Sequence, residues 1–371
     1  MFLETAVHVE RLTVLTDEIS AEGLALAEMY SNVTVMKFPR ERYLVESRSW
    51  LYSYVQSTQE PTVVHSTFGH LVKFFEMSPQ RFNNNLRLVH TQYTANHDWF
   101  NHVRYHDYPM SFHYLGQRLK SYWRDRRMAK SADAIFVLCP GHVDGVASSH
   151  SVAPRKIKAV SSEVDYEFFR SHREHRPRER KLVYAGAYQK NKGLDVLFAV
   201  LPEILRKHSD VSVEFYGRTV PRHEPWFRKC IAELNYPDRV SVHASLDKQN
   251  LRERLQGADL FISASRFEGS PRAVKEAICA GCPVILSSIP GHIGLDTERK
   301  YIHFVDGHEA PSWSRVLLAA IEQSDVEWLQ RSHKGVEVMA AHYTPEKVAE
   351  QLVSEYRDLF TCQETKADRS P

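Results

Sequence analysis

Cysteine is scarce: five thiols in 371 residues cannot staple a chain of this length into a disulfide scaffold. Cys279 and Cys282 form one C-x-x-C, but no second pair follows at zinc-finger spacing, so no metal site is expected there. Cys279 lies among Ala277, Ile278 and Ala280 and reads as a small core residue. Free thiols of this kind suit a reducing compartment. Long apolar runs are missing too, and nothing approaches the roughly 18 residues that a membrane span needs. The opening stretch MFLETAVHVERL carries acids and no sustained apolar segment, so it does not read as a secretory leader. Charge of one sign is also lacking. The formal net charge of +2 neither favours nor excludes anionic ligands, and nucleic acid is not an expected partner.

What is present points to a soluble globular protein, with 43% hydrophobic and 25% charged residues. The length allows two ordinary domains. Two local stretches are basic, YWRDRRMAK (122–130) and SHREHRPRERK (171–181). Each reads either as a solvated helix face or linker, or as a surface for phosphate-rich or anionic membrane partners.

Apolar runs alternate with helical stretches along the chain. LTVLTD (12–17), VTVMKFP (33–39), TVVHSTF (62–68), LRLVHTQY (86–93) and ADAIFVLCP (132–140) are strand candidates of the first half. RSHREHRPRER (170–180) then has linker composition. The alternation restarts with KLVYAGAY (181–188), VSVEFYG (211–217), RVSVHAS (239–245), DLFISAS (259–265) and PVILSS (283–288). A final helix is expected over 345–360, followed by a polar tail. Near-continuous apolar strands alternating with helices predict an α/β protein of two tandem doubly wound, Rossmann-like domains facing a cleft. The expected boundaries are 1–168, a linker at 169–180, 181–344, and a terminal segment 345–371.

The most informative stretch is SRFEGSPRAVKEAICAGCPVI (265–285). The strand DLFISAS should end at Ser265, placing Glu268 in the loop beyond it, where such sheets bind ligands. Pro271 suits the first position of a helix that runs to Gly281. Backbone amides of Gly269 and Ser270 then lie at a helix N-terminus, a setting that attracts phosphate or sugar hydroxyls. Position alone leaves open whether Glu268 and Glu276 are a working pair or a solvated helix face.

The stretch resembles the E-x7-E region of retaining glycosyltransferases with the GT-B fold, family 4. Ser265, Arg266, Glu268, Gly269, Pro271, Glu276, Ala277, Gly281, Pro283, Val284 and Ile285 fall in register with that family's pattern. VSSEVDYEFF (160–169) is similar to its interdomain connector, and YAGAYQKNKGLDVL (184–197) to the turn that opens its donor domain, with Gly186, Lys192 and Gly193 matching. ADAIFVLCP and SSIPGHIGL (287–295) agree in order. The similarity covers the C-terminal half well and the N-terminal half in outline.

The resemblance implies a retaining transfer from a nucleotide-diphosphate sugar, without metal or other cofactor, and a terminal helix that packs back on the N-terminal domain. It assigns Glu268 to the transferred sugar, Glu276 to the ribose and Lys192 to the phosphates, with Gly186, Gly269, Ser270, Pro271 and Arg272 also on the donor. His90, in LVHTQY, resembles a histidine near the reacting centre; it also fits a hydrogen-bonded core histidine. Lys192 likewise fits a solvent lysine in a polar turn. Two departures stand out. Ala187 occupies the place of a family arginine, for which Lys190 or Arg218 could substitute, and TDEISAEG (16–23) has a single glycine, Gly23, where relatives have two.

The acceptor is expected in the N-terminal half, and it could be a sugar, a lipid-linked molecule or a small molecule. NHDWFNHVRYHDYPMSFHY (96–114), with His97, His102, His106 and His113, matches no zinc spacing and reads as an acceptor-pocket lining or an amphipathic segment. The departures keep open a nucleotide-sugar-binding partner with weak or lost catalysis. A phosphorylase or epimerase of the same fold is a third reading. The expected location is cytoplasmic, with peripheral contact at the inner membrane surface as an option.

Overall fold

The computed structural model describes residues 4–16, 18, 21–67, 71–81, 85–92 and 112–367. His97, His102 and His106, much of the turn 16–23, and the side chain of His113 lie outside the described residues. The chain divides into two compact units, one made of residues 164–344 and the other of the described residues that flank it on both sides.

In the first unit, β1 (Leu12–Thr16) pairs in parallel with β2 (Val33–Lys37). A separate parallel sheet has the order β3 (Thr62–Ser66), β4 (Leu86–Gln92), β5 (Ala134–Val137), β6 (Ile157–Ala159). The expected single sheet is thus two ladders among the described residues. β1 is only half-buried along its length, whereas β4 is buried throughout. The terminal helix Pro345–Ala367 lays Val348 and Leu352 against Val89, Ala134, Phe136 and Val160. Its Tyr356 stacks on Phe136 at 5.9 Å and bonds to His65 Nδ1 at 2.5 Å. His65 Nε2 bonds in turn to Thr91 Oγ1 at 2.6 Å.

The second unit is one six-stranded parallel sheet. Its strands are β7 (Arg180–Ala185), β8 (Val211–Tyr216), β9 (Val240–His243), β10 (Leu260–Ser263), β11 (Val284–Ser287) and β12 (His303–Val305). Their spatial order is β12-β11-β10-β7-β8-β9. The chain therefore starts at the sheet centre, winds to one edge, and returns to build the other half. The reversal falls between the paired strands β7 and β10, the position at which sheets of this kind bind ligands. Leu194, Leu197, Leu201 and Ile204 of the helix Leu194–Lys207 bury one face at roughly helical spacing against this sheet.

The segment with linker composition is not a loose tether. Arg176, 8% exposed, donates from Nε and Nη2 to the two carboxylate oxygens of buried Asp259, at 2.7 and 2.9 Å. Its remaining donors reach the carbonyls of Ile321 and Gln323. Arg173 donates to the carbonyls of Ala280 and Leu255. Local composition reveals charge but not its destination, and here the charges strap the entry segment to the sheet. Burial raises the Asp259 carboxyl above its ordinary range, against the pull of Arg176. Removing the guanidinium leaves a buried acid uncompensated. Arg176→Ala is therefore expected to cost about 3–5 kcal/mol in denaturant unfolding, and a loss below about 0.5 kcal/mol contradicts the strap.

Candidate active site

The site forms where β7 and β10 end. After β7, a 3-10 turn at Lys190–Lys192 leads to Gly193, which has φ +67 and opens the next helix. A Cβ at Gly193 would stand 1.9 Å from the Ala264 carbonyl oxygen, just past β10. Only glycine allows both this left-handed backbone and this approach. The two strand ends are then locked by Arg266. Its guanidinium pairs with both carboxylate oxygens of Asp195 at 2.7 Å and donates to the Lys190 carbonyl at 2.8 Å. Its backbone N–H donates to the Asn191 carbonyl at 2.9 Å.

This bracket brings Lys192 and Glu268 together. Lys192 Nζ donates to Glu268 Oε1 at 2.7 Å, and Ser265 Oγ donates to the same oxygen at 2.8 Å. Burial pushes the Glu268 carboxyl up, but the Lys192 ammonium and the Ser265 hydroxyl outweigh it and hold the group below its ordinary range. Glu268 is thus an anion at neutral pH, with Lys192 as its counter-ion. The loop after β11 closes behind it: a Cβ at Gly291 would fall 2.3 Å from the Glu268 carbonyl oxygen. Next to it, fully buried His292 bonds through Nδ1 to the Ser287 carbonyl at 2.9 Å, and burial pulls its pKa down to about 4.

Beyond Glu268, Gly269, Ser270 and Pro271 lead into the helix Arg272–Cys279, with Pro271 at its N-cap and no side-chain cap. The first amides of such a helix have no intrahelical acceptor and carry its positive dipole end. Glu276 sits on this helix, 6% exposed, and accepts from Arg272 Nε at 3.0 Å. Burial raises its pKa against the opposing Arg272. Gly186 donates its N–H to the Tyr216 carbonyl at 2.9 Å at the end of β7.

Not every expected residue joins this group. Lys190 places Nζ over the Trp226 ring, 5.6 Å from its centroid. Arg218 is exposed just beyond β8. His90 lies in the other unit, 4% exposed on β4, with Nδ1 3.0 Å from the Ser66 carbonyl, and burial lowers its pKa to about 4. Asp195, Ser265, Arg266 and His292 are residues that sequence reasoning did not single out as site residues. The Asp195–Arg266 pairing had no local signal, whereas Ser265 stood inside the motif itself.

Residues 165–325 match the family model of Glycosyl transferases group 1. GDP-mannose:cellobiosyl-diphosphopolyprenol alpha-mannosyltransferase of Xanthomonas campestris is 32% identical over 182 residues, which is 49% of this chain and 48% of that protein. D-inositol 3-phosphate glycosyltransferase of Corynebacterium urealyticum is 25% identical over 264 residues, 67% of this chain and 62% of that protein. The chain spans about half the length of the first curated relatives it matches. Among solved structures, sucrose-phosphate synthase from Thermosynechococcus elongatus superposes with a TM-score of 0.69 at 16% identity, over 94% of this chain and 96% of that one. Anabaena Alr3699/HepE in complex with UDP-glucose gives 0.70 at 12% identity, over 96% and 94%. Likeness of this extent shows the fold, which is the GT-B fold of two Rossmann-like domains.

Two predictions follow from the packing. Gly193→Ala should lower stability by at least about 2 kcal/mol, because the substitution meets both a strained φ and a backbone clash; an unchanged unfolding midpoint would refute the close approach. Desolvation holds His65 at about 3, and His90, His150, His292 and His303 each at about 4, so they bind protons more weakly in the folded chain than the ordinary 6.5. Their neutral forms favour folding fully above 6.5, and that contribution fades as pH falls toward the folded values. Stability should drop by roughly 1 kcal/mol per histidine for each pH unit below about 6.5. A melting temperature that stays level from about pH 7 to about pH 5 contradicts neutral burial.

Proposed function

We propose that the protein is a retaining, metal-independent glycosyltransferase that moves a sugar from a nucleoside-diphosphate sugar to a sugar, lipid-linked or small-molecule acceptor. The observation that carries this reading is the Lys192–Glu268 pair, held at the switch point of the sheet beside an uncapped helix N-terminus. The family match over 165–325 supports it, because that segment contains every residue of the pair and its bracket. The names of the relatives supply candidate donors, GDP-mannose and UDP-glucose.

In this reading Lys192 leaves Glu268 for the diphosphate when donor binds. A cation about 4 Å from a phosphate oxygen is worth roughly 4 kcal/mol at an effective dielectric near 20. The amides at Gly269 and Ser270 and the helix dipole add to that charge. Glu268 then faces the sugar, where its anion favours the positive charge that develops at the anomeric carbon. The bond from that carbon to the diphosphate oxygen breaks, the acceptor hydroxyl oxygen attacks from the same face, and its proton passes to the departing phosphate. Glu276, freed from Arg272, accepts from the ribose hydroxyls while Arg272 remains available to the diphosphate. His90 serves the acceptor side. Lys190, committed to Trp226, and exposed Arg218 are weaker substitutes for the arginine that Ala187 replaces.

Glu268→Ala and Lys192→Ala should each depress sugar transfer by roughly 100-fold or more while the folded state is retained, assayed with a panel of guanosine, uridine and adenosine diphosphate sugars. Near-wild-type transfer in either variant contradicts the assignment. Calorimetric binding of a donor by the unaltered protein, with no hydrolysis or transfer on any acceptor, would instead identify a binding partner.

A further inference from the structure

The helix Phe112–Ser131 carries a surface that the proposed chemistry does not use. Its exposed described residues are Leu119, Lys120, Trp123, Arg127 and Lys130. At about 100° per residue these five fall within one arc of roughly 100°, with Trp123 near its middle. Met128 and Ala129, on the other side, are fully buried. The arc therefore faces away from the core. It holds two large apolar side chains, Leu119 at 50% and Trp123 at 55% exposure, where a merely solvated face would carry polar ones.

The rest of the arc is positive. Lys120 and Lys130 contribute two cations and Arg127 a third, which pairs with Glu76 of the neighbouring helix Val72–Arg81. Arg126, at the edge of the arc, stacks its guanidinium on the Trp123 ring at 5.7 Å from the centroid. At the C-terminal end of the helix, Lys156 donates to the Lys130 carbonyl at 2.9 Å, bringing exposed Arg155 beside it. The helix itself has one acid, Asp125, which is turned toward Arg124 and largely covered.

An indole and an aliphatic side chain ringed by long cations is the arrangement that suits an anionic bilayer. The apolar pair enters the headgroup region, and the lysine and arginine stems reach back to lipid phosphates. Acidic protein surfaces and nucleic acid would engage the cations equally, but neither gives Leu119 an apolar environment. We propose that this helix face docks the protein on anionic lipid membrane, with Trp123 and Leu119 inserted and Lys120, Arg126 and Lys130 on the headgroups. The surface belongs to the first unit and uses none of the residues of the Lys192–Glu268 pair, so it stands independently of the assigned reaction.

The test is flotation of the full chain with vesicles of phosphatidylcholine, with and without about one third phosphatidylglycerol, in the absence of any donor or acceptor. Binding is expected to the anionic vesicles, to weaken as salt is raised, and to fall to background on pure phosphatidylcholine. Trp123→Ser should weaken it about tenfold, and Lys120→Glu with Lys130→Glu more than that, since each cation near an anionic surface contributes roughly a fivefold factor. All these side chains are exposed, so the variants should keep the melting temperature of the parent. Failure to float with anionic vesicles at low salt overturns the proposal. So does flotation that neither substitution weakens, or retention by nucleic acid at the expense of vesicles. Donor turnover measured on the same variants, with a water-soluble acceptor, should be unchanged; this separates failure of the docking face from failure of the glycosyltransferase reading.

Discussion

The structure around the site depends on one ion pair, Lys192 with Glu268, and on the backbone contact that permits it. The lysine follows β7 and the glutamate follows β10, far apart in sequence but adjacent at the reversal of the sheet. Neither side chain could be held there by its own loop alone. Gly193 lets the first loop lie against the Ala264 carbonyl, and Arg266 ties the second loop to Asp195 and the Lys190 carbonyl. A charged pair this sheltered is costly to assemble and is stable only because each member neutralises the other. An anionic ligand that takes over the lysine therefore releases the carboxylate for a second contact, which is the physical link between binding and chemistry in this account.

The surroundings serve the same constraint from other directions. The loop after β11 presses Gly291 against the Glu268 backbone, and buried neutral His292 fills the space without adding a competing cation. At the far side of the unit, Arg176 and Asp259 anchor the entry segment to the start of β10, the strand that delivers Glu268. Stability and site geometry thus meet on the same strand.

Much of the architecture was legible because buried parallel strands leave near-continuous apolar runs, as in LVYA of β7 and LFIS of β10. β6 and β12, three residues each, are too short to leave such a signature. The helices Ala310–Glu322 and Asp325–His342 lacked a motif to mark them, though the second begins with a capping box of Ser324 and Glu327 that a closer reading of local spacing could find. The stretch 171–181 misled because composition reports polarity, whereas Arg176 is polar and buried through a distant acid. For the site, the spacing of Glu268, Gly269 and Pro271 placed the glutamate beyond a strand and before a helix. The sequence could not show that Arg272 already occupies Glu276, or that Lys190 turns to Trp226; such choices are made by tertiary neighbours.

The most direct measurement is a crystal structure of the protein with a bound nucleoside diphosphate. The account predicts that Lys192 Nζ moves from Glu268 to a phosphate oxygen, at about 2.7–2.9 Å, with the phosphates against the amides that open the helix Arg272–Cys279. A diphosphate held elsewhere, with the Lys192–Glu268 pair intact, would contradict it.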